Sequence, residues 1–463
     1  MKYSNNYTSK YPIKPKAAIV TFSIPQEISP ISPESRYVII EYRKRAEEIL
    51  IKEGLDILNI ERFIEDRKAT QEVINHLTKE NIDSVIFQIG VWPSPSLAID
   101  IINSLNIRIP IILWAFNETR VLSLVPACQF HGAFDDMGIE HEFIYANPEE
   151  EKFFKKIKEI TIASKAVRDL NGMNLGLFGG RYMNMYTGTA DPVQVKKLFG
   201  VEIIHINEFS LVEGAKRIDN KKIKEYLEYL HKKYGEISAP FDVEDKSIRL
   251  YYAMEKLKEE YDLDFASVKC MLEVQGEYCS HCLSVSKHID EGFIISCEGD
   301  INGALTMQIL RLISNSAAGF GDVFEVNPKN KILSVVNCGT FATEFAENPK
   351  DVNFPEQMKS LVPGDGTGMT TSFICKPGRV TIARLGRING EYVMQISTGN
   401  ALKLSNNNSI NKIMPHIFIN LDNNDVDFFI QNCRSNHLHW VYGDFKNELI
   451  QICKILKIKE IIC

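Results

Sequence analysis

The stretch SCEGDINGALTMQIL (Ser296–Leu310) follows the apolar run Phe293–Ile295 and leads straight into a segment of helical periodicity. A second apolar stretch, GFGDVF (Gly319–Phe324), comes after that segment. The pattern reads as strand, helix, strand. Glu298 ends the first strand, and Asp322 lies in or just after the second, 24 residues further on. A right-handed crossover makes two such strands parallel and turns their same ends to one sheet edge. Open α/β sheets bind ligands at their carboxyl edge. Two carboxylates converging there need a cation or an acid–base task to offset their repulsion. The alternative is an ordinary N-cap acid and an unrelated surface acid.

Upstream, the same alternation of apolar runs and helical segments recurs. Ala17–Phe22, Ser84–Gly90 and Ile109–Asn117 read as strands, with a long helix near Tyr42–Glu53. Strands spaced by helices predict a layered parallel sheet. The acidic run near Glu149–Lys152 and its helix mark the passage to a second unit. That unit restarts at Met173–Gly180 and continues with strands at Val201–Ile206, Ala266–Val274, Phe293–Glu298 and Gly319–Phe324. The Gly179–Gly180–Arg181 turn has room for a ligand phosphate or carbonyl, but matches neither the dinucleotide nor the P-loop pattern. After about Ile332 short alternating strands and glycine replace the helices, as in Arg379–Leu385 and Glu391–Ser397, which predicts an antiparallel sheet or small barrel. Gly364–Met369 reads as a turn and Asn406–Asn408 as a short polar run; the chain closes on a helix at Lys446–Leu456. The expected fold is therefore α/β: two layered domains with parallel sheets (1–168 and 169–331), then a β-rich, barrel-like domain (332–463).

The 463 residues, 44% hydrophobic and 24% charged, are those of an ordinary globular chain of about three domains. A net charge of −7 leaves no basic footprint for nucleic acid. No run approaches a membrane span, and the polar first residues do not read as a secretory signal. Ten cysteines, among them Cys270, Cys297 and Cys338 in apolar surroundings, suggest reduced thiols and a cytoplasmic protein. Cys279-Ser-His-Cys282 is half of a zinc site with no second half at a usable distance, so local packing is the better reading.

A cation held by two acids usually recruits a neutral ligand, and imidazole suits the transition metals. Of the ten histidines, His437 and His439 are the best candidates, beside Trp440 and Asp444. Trp92, Trp114 and Trp440 all stand at loop or strand ends, where an indole can face the CH side of a sugar or simply pack in a core.

These segments together resemble the L-fucose isomerase and L-arabinose isomerase superfamily, closest to the fucose isomerase branch. Leu113–Thr119, Gly176–Met183, Val274–Gly276, the CEGDINGA element with Asp322 at the same spacing, Val335–Thr340 and Ser435–His437 are similar to its elements in order along the chain. The acid pair is the most specific of them. The resemblance implies that Glu298, Asp322 and His437 hold a divalent ion, usually Mn²⁺, with Mg²⁺ or Co²⁺ as substitutes. It implies that Gln275, Asn436 and Trp92, and more weakly Thr340, contact sugar hydroxyls. It also implies a homo-oligomer, hexameric or trimer-based, with sites at subunit contacts. The chain is shorter than a typical fucose isomerase. Met369 replaces a tyrosine of the family, and the segment around Arg36 is unmatched; these departures bear on the sugar rather than on the chemistry.

The expected function is a metal-dependent aldose–ketose isomerase working through a cis-enediol, with Glu298 and Asp322 as both ligands and acid–base pair. The rivals are a sugar-binding or regulatory protein on the same scaffold, and a metal-dependent aldolase or hydrolase. Which aldose is used is not legible in the chain.

Overall fold

The computed structural model describes residues 14–28, 34–105, 108–270, 274–357, 367–403 and 414–463. The first half of the Gly364–Met369 turn and the whole Asn406–Asn408 run lie outside the described residues. The chain forms two compact units that divide between Arg168 and Asp169.

The N-terminal unit is a five-stranded parallel sheet. Its strands are β1 (Lys16–Phe22), β2 (Asp56–Ile64), β3 (Ser84–Ile89), β4 (Ile111–Ala115) and β5 (His141–Tyr145), in the order β2-β1-β3-β4-β5. Successive residues of β1 serve opposite faces: Ala17 and Ile19 join one apolar cluster, and Ala18, Val20 and Phe22 join another. That is the period of two a strand covered on both sides requires. Trp114, considered above as a sugar platform, is fully buried against Phe116 and Phe153, and its indole N–H donates to the Ala146 carbonyl at 2.9 Å. It is a core residue.

The second unit begins with a four-stranded parallel sheet: β6 (Asn174–Phe178), β7 (Glu202–Ile206), β8 (Phe265–Val268) and β9 (Ile295–Cys297), in the order β7-β6-β8-β9. There follow β10 (Gly319–Asn327), β11 (Ile332–Val336), β12 (Gly378–Ile388), β13 (Glu391–Ala401), β14 (His416–Leu421), β15 (His437–Tyr442) and β16 (Lys459–Ile462). Strands β12, β15, β10, β11, β14 and β13 pair antiparallel in that order. The β12–β13 pairing closes the ring into a barrel, and β16 adds in parallel to β13. The β12–β13 hairpin turns on Asn389 (φ 52°) and Gly390 (φ 87°), the left-handed pair a two-residue hairpin prefers.

One expectation is overturned. β9 and β10 are not parallel neighbours in one sheet: β9 is the edge of the parallel sheet, whereas β10 belongs to the barrel. The crossover rule applies only when both strands share a sheet. Here four residues, 328–331, separate β10 from β11, enough for a hairpin and far too few for a crossover. Between the two sheets lies the helix Ile301–Ser314, buried along nearly its whole length, which touches β8 and β9 on one side and β12 and β15 on the other. Among the described residues no helix is long and apolar enough to cross a membrane.

Candidate active site

The carboxyl end of β9 makes an uncommon turn. Glu298 has φ 63° and Gly299 φ 65°, so a glutamate occupies a backbone region that costs an ordinary residue about 1–3 kcal/mol. Gly299 is obligatory in this turn, because a Cβ there would collide with the carbonyl oxygen of Gly180. The turn lifts the Glu298 carboxylate off the sheet edge and delivers Asp300 to the N-cap of the buried helix, where its Oδ1 accepts from the Gly303 amide at 2.8 Å.

Asp322 and His437 reach the same place from the barrel. They are direct cross-strand partners on β10 and β15, so their side chains rise from one face. His437 Nε2 lies 3.2 Å from Glu298 Oε2 and 3.7 Å from Asp322 Oδ1. One donor atom from each of the three residues falls within 4.8 Å of the others. Asn436 donates from Nδ2 to Asp322 Oδ1 at 3.0 Å, which orients that carboxylate. The His437 side chain is 1% exposed, Glu298 11% and Asp322 38%, so the cluster opens to solvent on the Asp322 side.

Asp300 completes the arrangement from behind. Its carboxylate receives both terminal nitrogens of Arg384, at 2.6 and 3.1 Å, and the Nδ1–H of His437 at 2.7 Å. With the Nδ1 proton committed to Asp300, the other proton of the imidazolium sits on Nε2 and is donated to Glu298, and a cation that displaced it would meet the Nε2 lone pair. That is the way a carboxylate behind an imidazole prepares it for a metal. Two carboxylates and one imidazole of fixed tautomer are a donor set that fits a divalent cation such as Mn²⁺.

The electrostatics agree. Burial alone would raise the Asp300 pKa, but Arg384 and His437 hold its carboxyl well below the usual range. Burial would lower that of His437, yet its hydrogen bonds to Asp300 and Glu298 outweigh it and push it up to about 9. Burial raises Asp322; His437 pulls it down and Glu298 adds to the rise. The acid pair concentrates negative charge that a proton on His437 balances here and a cation can balance in its place.

Residues 335–462 match the family described as L-fucose isomerase, C-terminal domain. Three proteins named sulfoquinovose isomerase are similar over much of the chain. That of Priestia aryabhattai is 20% identical over 429 residues, 90% of this chain and 94% of the relative. That of Clostridium sp. (strain MSTE9) is 23% identical over 362 residues, 76% and 80%. That of Alkalicoccus urumqiensis is 23% identical over 302 residues, 64% and 67%. The matched C-terminal domain and these relatives belong to the fucose/arabinose isomerase-like superfamily. This chain is an enzyme of the isomerase class.

The other residues singled out from the resemblance to this superfamily are placed unevenly. Gln275 is fully buried on the short helix Val274–Glu277, and among the described residues neither atom of its amide has a partner. Thr340 is buried with its hydroxyl donating to Asn337 Oδ1 at 2.7 Å. Trp92 belongs to the N-terminal unit, follows β3 with φ 40° and is 47% exposed. Trp440 is no sugar platform: it is buried against Phe341 and Phe345. His439 is fully buried beside Arg384, 3.0 Å from its Nη1, and burial followed by that guanidinium drives its pKa far down. It is one strand step behind the cluster and outside it. Cys279 and Cys282 are buried free thiols.

Two residues of the centre went unread. Asp300 was visible as the acid that starts the Ile301 helix, but nothing in the spacing told an N-cap from a partner of His437. Arg384 had a fainter mark, a cation inside the apolar run of β12.

Proposed function

We propose that this protein is a divalent-metal-dependent aldose–ketose isomerase in which Glu298, Asp322 and His437 hold the ion, Mn²⁺ in the first instance. The observation that carries the proposal is the Glu298–Asp322–His437 cluster, with its imidazole set by Asp300. When bound, the ion supplies a Lewis acid that stabilises negative charge on the two adjacent sugar oxygens at which the reaction takes place. Conversion of an open-chain aldose to a ketose removes the proton from C2, passes through a cis-enediol and returns a proton to C1. Glu298 and Asp322 are the groups placed to take and return it. The low exposure of Glu298 keeps bulk water from competing, and the raised pKa of Asp322 suits a carboxyl that must hold a proton for part of the cycle. Asn436 keeps Asp322 oriented, and His437 stays a fixed donor to Asp300. Gln275, Asn436, Trp92 and Thr340 are proposed sugar contacts, and the working enzyme is proposed to be a cytoplasmic homo-oligomer. The relatives' name makes sulfoquinovose the first aldose to assay.

The test is ketose formation from a panel of aldoses with Mn²⁺, for the wild type and Glu298→Gln. Loss of a general acid–base group costs about 10²–10⁴-fold, with the unfolding midpoint unchanged within error. Wild-type turnover by Glu298→Gln in the presence of metal would remove the assignment.

A further inference from the structure

The walls of a pocket of about 250 Å³ include Tyr186, Thr187, Asn302, Arg387 and Arg434. The two guanidinium groups set it apart. Arg387 donates to the carbonyl of Thr189 at 2.8 Å, and Arg434 donates to the carbonyl and side-chain oxygen of Asn432 at 3.0 and 2.9 Å. Among the described residues neither has a carboxylate within ion-pair distance, whereas the neighbouring Arg384 is neutralised by Asp300. Each guanidinium carries five donors in a planar fork, and these neutral acceptors use only part of that capacity. Two partly buried cations facing one cavity without an acid repel each other, and a multiply oxygenated anion relieves that repulsion.

Arg434 stands three residues before His437 in the chain, and Ser435 ties the two together. Ser435 Oγ accepts the His437 amide at 3.2 Å and meets Thr187 Oγ1 at 3.5 Å. Asn302, also in the wall, lies in the first turn of the helix that Asp300 caps, and its amide is committed to the carbonyls of Thr187 and Thr189. The walls are therefore braced to the same elements that position Glu298 and His437.

We propose that this pocket binds a tetrahedral oxyanion through Arg387 and Arg434, and that the anion is the charged terminus of the sugar whose other end is isomerised. The second half rests on the isomerase reading above; the first half does not. The relatives' name agrees, since sulfoquinovose is a hexose carrying a sulfonate, but the acid-free arginines carry the argument.

Two measurements separate the halves. In the first, kcat/KM for sulfoquinovose and for glucose is compared in the wild type, Arg387→Gln, Arg434→Gln and the Lys variant at each position. Removing a charge-assisted hydrogen bond at either site lowers the sulfoquinovose-to-glucose ratio by about 10- to 100-fold, with partial rescue by Lys. In the second, inorganic sulfate is titrated into metal-free protein by calorimetry. Sulfate binds the wild type, binds more weakly to either Gln variant, and in the assay competes with sulfoquinovose. If sulfate binding depends on the arginines but the ratio does not move, the pocket serves a free anion and the substrate half is overturned. If sulfate does not bind the folded wild type, the anion site itself is overturned. A wild type that turns over no aldose yet binds sulfate through these arginines would refute the isomerase reading, and with it the sugar-terminus half, and leave the anion site standing.

Discussion

Replacing Asp300 by Asn probes the part of the site that the acid pair does not explain. The change keeps the size of the side chain and an acceptor for the helix N-cap, so the Ile301–Ser314 helix should still start at the same residue. It removes the charge that faces Arg384, whose side chain is 2% exposed. A buried ion pair that loses one member typically costs about 3–5 kcal/mol, because the surviving charge stays buried without its partner. The carboxamide also has one acceptor oxygen where the carboxylate had two. It cannot receive Arg384 at 2.6 Å and the His437 Nδ1–H at 2.7 Å as the carboxylate does. The neutral imidazole then loses the acceptor that holds its proton on Nδ1 and can keep it on Nε2 instead, and metal affinity should fall about 10–100-fold. Urea unfolding of the metal-free protein reads the first effect, and Mn²⁺ titration by calorimetry the second. A double-mutant cycle with Arg384→Met should recover much of the lost stability but not the metal affinity. Asp300→Asn with wild-type stability and wild-type Mn²⁺ affinity would refute the reasoning on both counts.

Three further outcomes are expected. Chelator treatment should abolish turnover and lower the unfolding midpoint, and Mn²⁺ at a hundred times its Kd should return about 2.7 kcal/mol; a chelator-treated protein with undiminished activity would exclude the cation. Gly299→Ala should destabilise by at least about 1–2 kcal/mol from its left-handed φ alone, with a further cost from the collision with Gly180, and should weaken Mn²⁺ binding by displacing Glu298; a variant as stable as the wild type would show that the turn relaxes freely. His281 is buried with neither ring nitrogen partnered among the described residues, and burial, reinforced by His288, pushes its pKa down to about 4. Its neutral form contributes stability fully above about pH 6.5, and that contribution is lost as pH falls toward 4, by about 3 kcal/mol in all. His281→Leu should flatten the stability profile across that window, and an unchanged slope would assign the acid sensitivity elsewhere.

Much of this architecture can be read from local pattern. Apolar runs spaced by helices announced the parallel layers, the change of texture after Ile332 announced the barrel, and the Lys446–Leu456 helix lies where its periodicity put it. Glu298 and Asp322 do converge with His437, but by a different route from the crossover first inferred. Local pattern ranks strands without saying which sheet they join, and here the short 328–331 connection held the missing information. The tryptophans misled for a related reason: a strand-end indole looks the same in sequence whether its ring faces a ligand or, like Trp114 and Trp440, a core. Asp300 and Arg384 stayed hidden because their partnership spans 84 residues and two layers, a distance over which single-sequence periodicity carries no signal.

The cluster draws Glu298 from the rim of the parallel sheet, and Asp322 and His437 from two barrel strands, with the Ile301–Ser314 helix wedged between. Neither layer owns a complete ligand set. A species in which the barrel has swung away while each layer keeps its secondary structure would retain most of its circular dichroism and none of its grip on an ion. An ion bound there would act as a latch on the joint between the layers, and its removal should show first as faster amide exchange along that helix, before any global unfolding.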